Sequence, residues 1–137
     1  MSTYMLEIVT PERKVFAQGV NSISVKGVEG ELGILAGHIP LVTPLQIAPL
    51  KIKSNGQEHW IAIHGGFLEV RSDKVVVLAE SAEMPEDIDL ERAKAAKIRA
   101  EQRLSMADRS KRDHVDFRRA ELSLQRSITR IKVSEHR

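Results

Sequence analysis

Two trios of arginine carry the most distinctive side-chain chemistry in this sequence. Arg92, Arg99 and Arg103 are spaced seven then four residues apart, and Arg119, Arg126 and Arg130 repeat that spacing. On a helix such steps place each trio on one face. If the two faces converge, crowded guanidinium groups favour a polyanion or carboxylates between them. If they diverge, both are solvated surface, the commoner use of an arginine stripe. Other chemistry is poorly supplied. There is no cysteine, hence no disulfide, thiolate metal site or catalytic cysteine, and the five histidines form no H-x-x-x-H pair. Metal chemistry is not expected.

A glycine-rich stretch from Gly27 to His38 invites a phosphate-loop reading. A phosphate loop needs Lys-Ser/Thr after its last glycine, and a dinucleotide loop needs a helix opening after it; neither follows here. Strand bends are the expected use. His38 has no recognisable Ser or Cys nucleophile and carboxylate arranged around it, so a histidine bonded within a turn is expected rather than a base. The sequence therefore predicts no enzyme.

The elements that must position these residues divide the 137-residue chain in two. All 8 Gly fall at or before Gly66 and all 5 Pro at or before Pro85. Residues 1–84 hold 7 Lys and Arg against 9 Asp and Glu, a net of −2; residues 85–137 hold 14 against 10, a net of +4. A boundary is expected at Met84 to Asp87, giving a domain over 1–84 and a second over 85–137. No apolar run approaches the roughly 20 residues that span a bilayer. The first residues also lack a signal-peptide layout, so a soluble cytoplasmic protein is expected.

The first half predicts strands at Met5 to Val9, Val20 to Val25, Leu50 to Lys53, His59 to Ile63, Phe67 to Arg71 and Val75 to Ala79. Asn55-Gly56 and Ser72-Asp73 supply turns, and Gly65-Gly66 marks a bend. The expected fold is an antiparallel β-sandwich, or flattened barrel, closed over a small core. In the second half Asp89 is a good N-cap before Leu90 to Ala96. Leu90, Ala93, Ala96, Ala100 and Leu104 predict an apolar face of mostly small side chains. A turn is expected within Ser105 to Asp113, then a second helix with Val115, Phe117, Leu124, Ile128 and Ile131 on its apolar side. The pair is expected to form an antiparallel hairpin.

Four stretches, in order, resemble the epsilon subunit family of bacterial F-type ATP synthase: Gly30 to Leu41, Gly65 to Val70, Ala79 to Glu83 and Ile88 to Ala93. Ala36 stands where that family usually has proline, and the Ser105 to Asp113 segment is longer than in close relatives. The resemblance implies a rotor-coupling sandwich docked on the gamma subunit and the c-ring, followed by a mobile two-helix regulatory domain. In this family the helices switch between a folded hairpin and an extended form that enters the alpha/beta catalytic head and inhibits ATP hydrolysis. Some bacterial members bind ATP on the folded hairpin through Ile/Leu-Asp-x-x-Arg-Ala, present here as Ile88, Asp89, Arg92 and Ala93. Glu83, Arg99, Arg126 and Arg130 match the other positions of that site, whereas Arg103 and Arg119 belong to the stripe but not the site.

The resemblance thus implies a non-catalytic subunit at the cytoplasmic face of the bacterial plasma membrane, peripheral to it and monomeric when isolated. ATP would be a regulatory ligand, with magnesium not required. Without the resemblance, Asp89 reads only as an N-cap, Ile88 as a staple residue and the arginines as surface. A rival reading, a stand-alone nucleic-acid-binding protein using the basic helices, is weakened by composition. Of five aromatic residues only Phe117 lies in the helical half, and ten acidic residues interrupt the basic surface.

Overall fold

The computed structural model describes residues 2–106 and 114–137, without the side chains of residues 114 and 115. The glycine-containing half forms eight strands: β1 (Tyr4–Val9), β2 (Lys14–Val20), β3 (Ser22–Gly27), β4 (Gly30–Leu35), β5 (Leu41–Ser54), β6 (Gln57–Val70), β7 (Lys74–Ala79) and β8 (Ala82–Glu83). They pair in the order β2-β1-β7-β6-β5-β3-β4, with β8 also on β6. Alternate residues point to one side and close on each other: Leu6, Ile8, Ile23, Ile34, Ile52, Ile61, Leu68 and Val77 share one buried core. This is the expected sandwich.

Several details of the strands depart from the sequence-based expectation, including β2 before Val20, and β4, which no expected run covered. The Val20 to Val25 run is broken at Asn21, whose side-chain oxygen accepts a 2.9 Å bond from the Asn55 amide and so ends β2 before β3 begins. The sheet also contains one parallel pair, β1 with β7. No crossover helix is needed, because the intervening strands themselves carry the chain from one to the other.

Asn55 and Gly56 take φ of 52° and 78° and reverse the chain between β5 and β6, as the Asn-Gly pair predicts. His59 to Ile63 and Phe67 to Arg71, expected as separate runs, belong largely to the single 14-residue strand β6, which bends at Gly65-Gly66 without losing register on β5. Gly66 has φ +133°, and a Cβ there would lie 2.0 Å from the Leu78 carbonyl oxygen. Only glycine lets β7 pass this close.

A single 3-10 turn, Pro85–Asp87, leads to helices α1 (Leu90–Met106) and α2 (His114–Ser134). Asp89 caps α1, accepting from the Arg92 amide at 3.1 Å. Ser105 and Met106 are helical rather than part of the turn; the rest of the expected turn, and the Val115 side chain, lie outside the described residues. The seam between the helices is made of small residues seven apart: Ala93 and Ala100 on α1, and Ala120, Ser127 and Ser134 on α2. The two serine hydroxyls are satisfied inside α2, donating to the Leu124 and Ile131 carbonyls. The expected apolar side of α2 is corrected accordingly. Leu124, Ile128 and Ile131 are half-buried and Phe117 is exposed, because small side chains occupy the line of closest approach and larger ones flank it. The opposite side of α2 lies on β5 and β6, whereas α1 packs chiefly on α2.

Candidate functional site

The pleat of β6 sends Ile61 and Ile63 into the sandwich core and Trp60, Ala62 and His64 to the other face, beneath α2. Ala62 leaves room for a helix to approach. Ala62, Ile88 and Val133 form a second small core packed against Trp60, so the sheet, the linker and α2 meet at one place.

Glu83 enters this joint from the sheet. Strand β8 pairs Glu83 with Ala62 and leaves His64 as its diagonal neighbour on the same face. His64 Nε2 and Arg130 Nε both lie 2.6 Å from Glu83 Oε1. Burial would raise the Glu83 pKa, but hydrogen bonds from His64 and Arg130 and the adjacent positive charge outweigh it and hold the carboxyl at about 2. An ionised carboxylate only accepts, so Nε2 of His64 carries the donated proton. His64 Nδ1 is buried with no partner among the described residues. Among the described residues, the second oxygen of Glu83 and the terminal nitrogens of Arg130 take no part in these bonds.

The arginine stripes have a simple relation to the seam. Arg92 and Arg99 each precede a buried alanine of α1; Arg119 and Arg126 precede Ala120 and Ser127 of α2; Arg103 and Arg130 precede the half-buried Leu104 and Ile131. In an antiparallel helix pair, positions one residue before the seam lie on the same side of both helices. The two stripes therefore converge on one side of the hairpin rather than diverging.

The eight residues singled out from the sequence do not all touch. Glu83 and Arg130 are in direct contact, and Ile88 is buried beside them at the joint. Asp89 is an exposed cap, Ala93 is buried in the seam, and Arg92 and Arg99 are exposed along α1. Arg126 is half-buried and, with His64, Gly66, Phe67, Glu80 and Arg118, lines a cavity of about 660 Å³ between α2 and the sheet. Sequence reasoning missed His64, Trp60 and, past the end of α2, His136 and Arg137. His136 stacks on Trp60 with ring centroids 4.2 Å apart, and Arg137 donates to linker carbonyls. The alternation Trp60, Ala62, His64 was the one available signal that β6 had a second covered face. His38 behaves as expected, its ring Nδ1 bonding the Ile39 carbonyl at 2.7 Å in an exposed turn.

Comparison with known proteins agrees with this two-part organisation. Residues 3–85 match the family model for the β-sandwich domain of the ATP synthase delta/epsilon chain, and residues 86–135 match the model for its long α-helix domain. The ATP synthase epsilon chain of Halalkalibacterium halodurans is 51% identical over 134 residues, 98% of each chain. That of Bacillus cytotoxicus is 52% identical over 134 residues, again 98% of each. Among solved structures, a chain of the Euglena gracilis mitochondrial ATP synthase (OSCP/F1/c-ring) superposes with a TM-score of 0.81 at 24% identity, covering 99% of this chain and 83% of that one. A chain of the Tetrahymena thermophila mitochondrial ATP synthase central stalk and c-ring gives 0.53 at 18% identity, covering 63% and 69%. These structural likenesses show a shared fold; the family matches and the full-length identity show more, namely that this chain belongs to the ATP synthase delta/epsilon chain family.

Proposed function

We propose that the chain is the non-catalytic epsilon subunit of a bacterial rotary ATP synthase, a central-stalk component whose helical half restrains ATP hydrolysis and whose folded hairpin binds ATP. The observation that carries the nucleotide reading is the convergence of both arginine stripes on one side of the hairpin, next to Glu83 and the Asp89 cap. Arg92, Arg99 and Arg126, with Arg130 nearby, would donate charge-assisted hydrogen bonds to phosphate. Glu83, Ile88, Asp89 and Ala93 would hold the nucleoside end, with the uncommitted oxygen of Glu83 free to accept from a hydroxyl or amine. No P-loop lysine is present, so magnesium is not required by these residues, and none of them is placed to activate water.

The sandwich would couple rotor parts. Phe67 lies between Pro44 and Leu78 in register across three strands, and Phe67, Leu78 and nearby Val42 are exposed. An outward apolar row of this kind suits a protein partner, here the gamma subunit. Leu35 and Ile39, exposed at the end of β4 and the turn after it, suit the c-ring. Acidic surfaces of the alpha/beta head would meet the helical half, which carries the net positive charge. Among the described residues no helix is long and apolar enough to cross a membrane. Attachment to the cytoplasmic face of the plasma membrane would therefore run through the complex, with the free chain monomeric. The nucleic-acid reading gains no support, since the relatives are ATP synthase chains.

The test is reconstitution with a catalytic head lacking its own epsilon subunit. The full chain should co-purify and lower ATP hydrolysis. A version lacking residues 85–137 should co-purify without inhibiting, and calorimetry on the isolated full chain should detect ATP binding without turnover. Failure to co-purify would refute the subunit assignment.

A further inference from the structure

Beyond α2 the chain turns back on the linker. Arg137 Nε donates to the Pro85 carbonyl oxygen at 3.1 Å, and its Nη2 donates to the Ile88 carbonyl. One guanidinium thus spans the two ends of the segment that leads from the sandwich into α1. Next to it, His136 stacks on Trp60 of β6 at an interplanar angle of 15°, while Val133 closes over Ala62 and Ile88. Lys51 Nζ stands 5.6 Å from the Trp60 ring and pairs with Glu58 at 3.3 Å.

We infer that Arg137, assisted by His136, is a clasp that fixes the linker, and that it is a positioning residue for Ile88 and Asp89. The linker backbone has few restraints of its own. Its 3-10 turn is closed by bonds from the Asp87 and Ile88 amides to Met84 and Pro85, the Ile88 bond being a long 3.3 Å. Asp89 follows immediately and must present its carboxylate to the Arg92 amide. A forked, permanently charged donor holding the carbonyls of residues 85 and 88 together sets the direction in which the chain enters α1. It also makes the end of α2 part of the same unit, so α2 cannot leave the sheet without freeing the linker. That the clasp thereby tunes nucleotide affinity rests on the reading proposed above.

The test uses the full chain without nucleotide, as parent, Arg137→Ala and Arg137→Lys. In the alanine variant amide exchange at Ile88 should speed up roughly tenfold, the scale set by losing a charged hydrogen bond. The emission of Trp60, the only tryptophan, should shift as His136 leaves it. Lysine keeps the charge but offers its donors from a single nitrogen on a flexible stem instead of two nitrogens in a fixed fork, so it should fall between the two. Unchanged exchange and emission in Arg137→Ala overturn the clasp. Calorimetry then separates the two readings. If the parent binds ATP, Arg137→Ala should bind roughly three- to tenfold more weakly, and equal affinity overturns the positioning role. If the parent binds no ATP, the nucleotide reading falls, and the exchange measurement alone decides the clasp.

Discussion

Arg130 Nε lies 2.6 Å from Glu83 Oε1, a charged hydrogen bond between residues 47 positions apart that ties α2 to the last strand of the sheet. Both partners are partly shielded, with side chains 33% and 25% exposed. The bond therefore escapes much of the screening that makes surface ion pairs nearly worthless. His64 completes it from β6, so three elements depend on one carboxylate.

That carboxylate makes docking of α2 pH-dependent in a defined direction. The Glu83 pKa falls from the ordinary 4.5 to about 2 on folding. A depressed pKa contributes stability that is complete above the unfolded value and is lost as pH falls through the folded one. Between about pH 4.5 and 2 the helical half should therefore loosen, losing roughly 1.5–3 kcal/mol, the scale of hydrogen bonds to a charged group. Trp60 emission followed during acid titration should report the release, and Glu83→Gln should remove that part of the pH dependence.

Glycine positions should separate sharply by mutation. Gly66→Ala places a Cβ 2.0 Å from the Leu78 carbonyl oxygen and forces φ +133° on an L-residue, so it should destabilise the sandwich by at least ~3 kcal/mol. Gly33→Ala meets nothing within 4 Å and has no positive φ, so stability should change by less than about 1 kcal/mol. Denaturant midpoints of the two variants decide this. A role for Gly33 would then belong to a partner's approach rather than to folding.

The two halves should not be equally independent. The main core draws only on residues 4–84, so a fragment of residues 1–84 should unfold cooperatively. Residues 85–137 bury mostly alanine and serine between two helices and lean on Ala62 and Trp60 for the rest. Alone, that segment should show far less helix by circular dichroism than in the full chain. A disordered 1–84 fragment would contradict the account of the core.

The sandwich and the Asp89 cap were legible because their signals are local: alternation, the Asn55-Gly56 turn, and a capping residue before helix formers. The Glu83, His64 and Arg130 cluster was only partly legible. Arg130 entered as one of the arginine stripe, Glu83 through resemblance, and His64 not at all, since nothing local marks a contact across 19 or 47 residues. The inner face of α2 misled for a physical reason. Hydrophobic periodicity looks for large apolar residues, whereas close helix packing selects Ala120, Ser127 and Ser134. The direction of the arginine stripes needed the seam to be known first.

Inhibition of ATP hydrolysis should depend on exposed charge at the start of α2. Arg118 and Arg119 are exposed and Arg126 half-buried, so reversing Arg118 and Arg119 leaves the bonds of Glu83 to His64 and Arg130 intact. Arg118 and Arg126 both line the cavity between α2 and the sheet, and the half-buried Arg126 is left in place because its reversal would bury a carboxylate there. The double variant should inhibit a catalytic head less than the parent, and the parent's inhibition should weaken as ionic strength rises. Equal inhibition by both proteins across a salt series would remove this charge from the mechanism.

Nucleotide binding can be dissected arginine by arginine, because the stripe contains residues inside and outside the proposed site. Arg92→Ala, Arg99→Ala and Arg126→Ala should each cost about 1.5–3 kcal/mol of ATP binding, the usual worth of a charged hydrogen bond. Arg103→Ala and Arg119→Ala should cost less than about 1 kcal/mol, as they share the face but act only through longer-range charge. Arg130→Ala is a mixed case. It removes a phosphate donor and also leaves Glu83 without its cation, so it should lower both ATP affinity and the stability of docked α2. The parent's thermal midpoint should rise with millimolar ATP, as it must if ligand binds the folded hairpin more tightly than the released one. Calorimetric affinities for the six variants would show whether the loss follows the site or the whole stripe. A uniform small loss would mean that ATP sees only net charge, and that Ile88, Asp89 and Ala93 serve the helix start alone.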